Sequence, residues 1–363
     1  MAFDIPPAYR VPLLVLGFAS LITGVAAGLW RVGFGVPLPG EGFAQLHGPL
    51  MVSGFFGTVI SLERAVAIGR AWAYGAPLAA GLAGLAAILG APALLPAILA
   101  VVASLDLTAA SVSIYRRQRE LFTLILALGA GSWLAGNGLW LAGLPLSAIV
   151  PWWAGFLVLT IAGERLELSR FLPPSPVARG VFTVIIAALV AAMFASGFAA
   201  AGGTMLLGAA QLALALWLLR QDIARRTVKE RGLTRFIAVC LLSGYLWLAL
   251  SGAAMLAAGG LGSAGPWYDA SVHALMLGFV FSMIFGHAAI IFPAVLRVAV
   301  PYHPVFYLPL AILHASLALR LWGDGAADAA WRAAGAMSNA VALALFILVM
   351  IGSVIRGALT CRR

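Results

Sequence analysis

Leu46-His47-Gly48-Pro49-Leu50-Met51-Val52-Ser53-Gly54-Phe55-Phe56-Gly57-Thr58-Val59-Ile60-Ser61-Leu62-Glu63-Arg64 is an apolar segment with an imidazole near its start and a carboxylate at its end. A bilayer core about 30 Å thick requires a helix of roughly 17 to 25 apolar residues, since every backbone N–H and C=O must be bonded within the segment. This stretch meets that length. Eleven others do too, giving twelve predicted spans at about 11–32, 44–64, 75–91, 92–115, 121–143, 146–168, 178–200, 202–220, 233–258, 267–296, 304–322 and 332–356. Composition agrees: 63% of the 363 residues are hydrophobic and 9% charged, far from the roughly one-quarter charged residues of soluble domains. The chain reads as an all-α integral membrane protein, one polytopic domain over 1–363.

Within the quoted stretch, Gly54-Phe55 is followed by Ile60 and Glu63, and the same spacing recurs twice. Gly155-Phe156 leads to Ile161 and Glu164, and Gly278-Phe279 leads to Ile284 and His287. The template is G-F-x-x-x-x-I-x-x-E/H. Its copies fall in spans two, six and ten, 101 and 123 residues apart, which predicts three four-helix units at about 1–115, 116–220 and 221–363. Transporters more often show two six-helix halves. Carboxylates near the membrane are scarce, so two at one offset from a Gly-Phe pair carry more weight than the apolar part of the template.

The net charge of +10 does not imply nucleic acid, because the arginines alternate between loops and form no single patch. Arg64, Arg70, Arg116, Arg117, Arg119, Arg165, Arg170, the segment from Arg220 to Arg235, Arg297, Arg356, Arg362 and Arg363 all fall on one side of a twelve-span topology. By the positive-inside rule that side is cytoplasmic, placing both termini inside a bacterial-type inner membrane. Trp30, Trp140, Trp152, Trp153 and Trp267 then mark the opposite face. Met1 to Arg10 lacks the basic start and cleavage site of a secretory signal, so the first span is expected to remain as a helix. Two cysteines, Cys240 and Cys361, lie too far apart in this topology to bridge, and without C-x-x-C-H any haem is held non-covalently.

His47 and His273 each lie a few residues into an inward-running span. Imidazoles at equal depth on neighbouring helices approach a haem iron from opposite faces, each through a neutral ring nitrogen. Met51 beside the first, Met276 beside the second, and glycines beside both leave room for a flat macrocycle. The alternative is a pair of interfacial histidines bonded to carbonyls or headgroups. His287 stands fourteen residues beyond His273, about 21 Å and about 40° further on an ideal helix, so it serves either a metal or proton-handling cluster with Glu63 and Glu164 or a backbone bond. His314 falls mid-span, where an unpartnered imidazole costs several kcal/mol; it is a candidate second haem or copper ligand, or a helix-to-helix hydrogen bond. His303, between Pro301 and Pro304, belongs in a solvated turn. Asp106 has Ser104, Thr108 and Ser111 for local bonding or a proton relay, and Gln211 is a further polar intrusion in span eight. Arg31, Arg320 and Arg332 break the charge rule on the outer side, where an arginine binds haem propionates bidentately or snorkels to headgroups.

Twelve helices in three four-helix arcs, with histidines on the second and tenth, resemble the haem-copper oxidase subunit I fold. L-H-G-P-L-M-V-S-G-F from Leu46, H-A-L-M-L-G-F from His273 and A-G-E-R-L-E-L-S-R-F from Ala162 are similar to segments of the NnrS family. That resemblance implies haem b and copper, and a role in nitric oxide metabolism or tolerance. Two departures qualify it. The sixth and seventh spans lack the copper-binding histidines of the oxidases, which argues against dioxygen reduction, and NnrS-like sequences usually carry more histidines at the start of the second helix than His47 alone. The expectation is a haem b protein held by His47 and His273, acting in nitric oxide chemistry or in electron transfer with a redox partner. The rival is a proton-coupled secondary transporter with a polar site at Asp106, Glu164 and His314.

Overall fold

The computed structural model describes residues 4–36, 41–169, 174–198 and 200–360. Arg170, Cys361, Arg362 and Arg363 lie outside the described residues. Among those described, all regular structure is helical. Twelve helices are long and apolar enough to cross a membrane: α1 Pro7–Arg31, α2 Gly42–Ile68, α3 Ala71–Ile88, α4 Leu94–Arg117, α5 Leu121–Leu141, α6 Leu146–Leu168, α7 Pro176–Phe198, α8 Ala200–Gln221, α9 Gly232–Ala257, α10 Pro266–Leu296, α11 Pro304–Gly325 and α12 Ala329–Leu359. The apolar runs located every one, with ends that moved by a few residues. The protein is an integral membrane protein with twelve candidate spans.

Local signals set the helix ends. Gly69, at φ 65°, closes α2 in the left-handed conformation that glycine tolerates best. Glu120 and Thr123 form a capping box at the start of α5, bonding N–H groups that helix geometry leaves over. Arg116 and Arg117 occupy the last turn of α4, where a cation meets the negative end of the helix dipole.

The chain divides into two compact units: residues 1–145 with 291–298, and residues 146–290 with 299–363. In the first, α1 packs on α2 and α3, and α4 packs on α3 and α5. Its buried polar contacts are long-range. Arg10, 1% exposed, donates to the Val295 carbonyl at 2.8 Å and pairs with Asp4 at 2.6 Å, while the Tyr74 hydroxyl donates to the same carboxylate at 2.7 Å. Ser53 donates to Asn137 at 2.8 Å, and Asn137 donates to the Ala100 carbonyl at 3.0 Å. In the second unit α8 packs on α7 and α9, α9 on α10, α10 on α11, and α11 on α12. Phe285 and Phe346 stack there with ring centres 3.8 Å apart.

Trp30, Trp267, Trp322 and Trp331 are exposed at helix ends, as interfacial aromatics should be. Trp153 is not. Expected at the outer face, it is buried inside α6, and its neighbour Trp152 meets Phe194 edge-on.

Candidate functional site

In the first unit, the His47 ring lies against a glycine face of α1. A Cβ built on Gly28 would come within 2.9 Å of ring atoms Nδ1 and Cε1, so glycine there is what admits the imidazole. One turn back, Gly24 makes room for Met51 in the same way, and its carbonyl accepts from His47 Nδ1 at 2.7 Å. A carbonyl only accepts, so Nδ1 carries the hydrogen and the lone pair of the neutral ring falls on Nε2. Binding one ring nitrogen to a carbonyl and turning the other outward is how metal-ligating histidines are oriented.

In the second unit, His273 has the same tautomer by a different route. Nδ1 lies 2.9 Å from the Asp269 carbonyl and 3.2 Å from the carboxylate of that residue, one helical turn earlier. Asp269 is itself gripped bidentately by Arg320, Nε to Oδ2 at 2.7 Å and Nη2 to Oδ1 at 2.8 Å. Arg320, foreseen as a partner for haem propionates, is buried and committed to this carboxylate. It acts on the imidazole through Asp269. His47 rests on a neutral carbonyl, whereas His273 rests on a carbonyl and on a carboxylate that Arg320 holds in place.

Both histidines stand at the head of a π-helical segment, Leu50–Phe56 after His47 and Ala274–Phe281 after His273. Such i→i+5 turns are rare and concentrate at functional sites. Each contains the Gly-Phe of the repeated template. The third copy, Gly155-Phe156, lacks a histidine and lies in a regular α-helix. The π segment also removes the ideal-helix relation between His273 and His287, because eight of the intervening residues are π-helical.

The inner ends of the template diverge. Glu63 lies beside Arg64. In the second copy, Arg165 pairs with Asp222 through Nε at 2.7 Å and Nη2 at 3.1 Å. Tyr245 adds its hydroxyl to Asp222 at 2.9 Å, and the Ala224 N–H donates to it at 2.7 Å. The whole group is buried. Asp222 sits in the longest hydrophilic loop and gives no local sign of a partner 57 residues away. His287 neighbours this network, and its Nδ1 donates to the Met283 carbonyl at 2.8 Å. No three of His, Cys, Asp and Glu come together as a metal ion would need among the described residues, which leaves the backbone bond, the other reading of His287, as the one seen there.

His314 makes the helix-to-helix hydrogen bond that was one of its two readings, the other being a metal ligand. Its Nδ1 accepts from Trp247 Nε1 at 2.8 Å and its Nε2 donates to the Ser243 hydroxyl at 3.0 Å, so both nitrogens are taken. Gly278 permits this, because any side chain there would strike the Trp247 indole. Ser104 and Thr108 do not serve Asp106. They donate to backbone carbonyls of their own helix, and Asp106 lies beside the Ala76 N–H of α3 with its Oδ2 buried and without a hydrogen-bond partner. Exposed His303 accepts from the Val305 N–H in its turn. Gln211 is buried against the Ser251 hydroxyl at 3.2 Å.

A comparison with curated proteins and with solved structures gave no match. One family model matches almost the whole chain, from the last residue before α1 turns fully α-helical to the penultimate turn of α12. Over residues 10–355 the chain belongs to the family described as domain of unknown function (DUF8744).

Proposed function

We propose that this protein binds haem b in the membrane, with His47 and His273 as the imidazole ligands, and serves nitric oxide metabolism or tolerance, or membrane electron transfer, in the manner of the NnrS-like proteins it resembles. The observation that carries the reading is the shared state of the two rings. Each binds Nδ1–H to a carbonyl and so has its lone pair on Nε2, and each precedes a π-helical turn. His287 has the same tautomer but no π-helical turn directly after it, and His314 has the opposite one. Gly24 and Gly28 make room on α1 for Met51 and for the His47 ring.

When bound, haem would supply one-electron chemistry or a diatomic-gas site. The protein's own part is orientation: Gly24 fixes one ring, Asp269 and Arg320 the other. In this proposal the twelve helices follow a haem-copper-oxidase-subunit-I-like plan of three four-helix units, in a bacterial-type inner membrane with both termini cytoplasmic. No three His, Cys, Asp or Glu residues gather among the described residues, and no residues are assigned here to the copper that the resemblance implies. The transporter reading loses one of its three groups to other work, His314 to Trp247 and Ser243.

The test is direct. Protein produced with ample porphyrin and purified in detergent should show a Soret band and a pyridine-haemochrome spectrum of haem b. His47→Ala and His273→Ala should each lose or shift that band, whereas His314→Ala should leave it in place. A colourless wild-type preparation, or unchanged spectra in both ligand variants, refutes the assignment.

A further inference from the structure

Beyond His273 the second unit holds a group the haem reading does not use. Asp324, at the end of α11, is 4% exposed, and neither of its carboxylate oxygens accepts a hydrogen bond, while the Asp269 carboxylate lies within reach of an Asp324 O–H. The nearest cation is Arg332 of α12, whose Nη1 stops 3.9 Å from Oδ1 and whose Nε is also buried without a partner. Asp269 of α10, already held by Arg320, lies beside it. From α10, then, Asp269 faces this carboxyl, from α11 Arg320, and from α12 Arg332. Asp328, in the connecting turn, is spent on the N–H groups of Ala330 and Trp331.

A dry, ionised carboxylate with no donor is the most costly state for such a residue in an apolar setting. Two remedies exist: a ligand or a proton. A metal cation is opposed by two guanidinium groups, and an anion by two carboxylates. What remains is water, which needs two to four polar partners and finds them in the Asp324 oxygens and Arg332 Nε, together with a proton that removes the charge. We propose that Asp324 is a proton-exchange site, reached through water held between it and Arg332 and adjoining the Asp269 carboxylate. In the exchange the Asp324 O–H bond breaks, its electron pair stays on the carboxylate, and the proton passes to water as hydronium; uptake is the reverse. Arg332 and Arg320 stabilise the anion while it lasts.

Infrared difference spectroscopy of the full-length protein in detergent between acid and alkaline pH tests this, with or without haem. The wild type should show a carboxylic-acid carbonyl band that shifts in D2O. Asp324→Asn should lose that band, and Asp324→Glu should keep it at a displaced frequency. The Glu variant guards against a folding failure of the Asn variant, because it retains an acid of the same charge. A band unchanged in both variants, or no exchangeable carboxylic-acid band in the wild type, overturns the proposal. The Soret test above is separate, so loss of the haem reading would leave this one standing.

Discussion

Substituting Gly28 by alanine probes the His47 site without touching the ring itself. The added Cβ would lie 2.9 Å from Nδ1 and Cε1, against an ordinary contact of about 3.5 Å, so the imidazole must retreat by about 0.6 Å. Its bond to the Gly24 carbonyl, now 2.7 Å, would lengthen to about 3.3 Å, past the usual N–H···O range. A hydrogen bond of this kind contributes about 0.5–1.5 kcal/mol, and losing an orienting partner typically weakens a ligated metal by about 10–100-fold. Gly28→Ala should therefore bind haem at least about tenfold more weakly, measured by the rate of haem transfer to a high-affinity acceptor protein. Gly131→Ala, where the new Cβ meets nothing within 4 Å, is the matched control and should behave as wild type. Equal haem retention in both variants would refute the argument that α1 positions this imidazole.

Three further outcomes follow from buried contacts. Asp222→Ala strands Arg165 and the Tyr245 hydroxyl, and should destabilise the protein by about 3–5 kcal/mol, the usual result of leaving a buried charge alone; denaturant unfolding in detergent reads it, and Arg165→Met in the same chain should recover most of the loss. Gly57→Ala drives a methyl into the ring of fully buried Trp133, an overpacking worth about 1–3 kcal/mol, seen as a lower melting temperature. Asp269→Asn removes the anion behind His273 while keeping its shape, so haem bound by that variant should have a higher midpoint potential in a spectroelectrochemical titration.

Hydropathy and length were sufficient for the helices, because a membrane span must satisfy its backbone internally and is therefore written locally. The partners of the charged residues were not written locally. Asp222, Asp269 and Asp324 stand near helix ends, where sequence reading expects solvated carboxylates, yet each is turned inward by an arginine or buried by a neighbouring helix 8 to 57 residues away. Arg320 was legible as an intruder on the wrong side of the charge rule, and its partner was not, since Asp269 looks like an ordinary first-turn acid. His314 was legible as a residue needing satisfaction. Which side chains satisfied it depended on Gly278 giving way to Trp247, a contact no spacing rule states.

The repeated template was legible, but its meaning changes with backbone geometry. Sequence treats the three copies as equal apart from the final Glu or His. The backbone splits them differently: the two copies preceded by histidine are π-helical through Gly-Phe, and the copy without histidine is α-helical. An i→i+5 turn widens the helix and redirects the residues on either side of it. Counted from its glycine, His47 is seven residues upstream and His273 five, an offset that on regular helices would set the rings at different depths and angles. Equal α-helical depth is thus the wrong criterion for pairing them. The physical likeness lies in the Nδ1–H bond to a carbonyl and the π turn that follows, and a substitution that restores α-helical geometry after either histidine should disturb the neighbouring ring even where every side chain near it is unchanged.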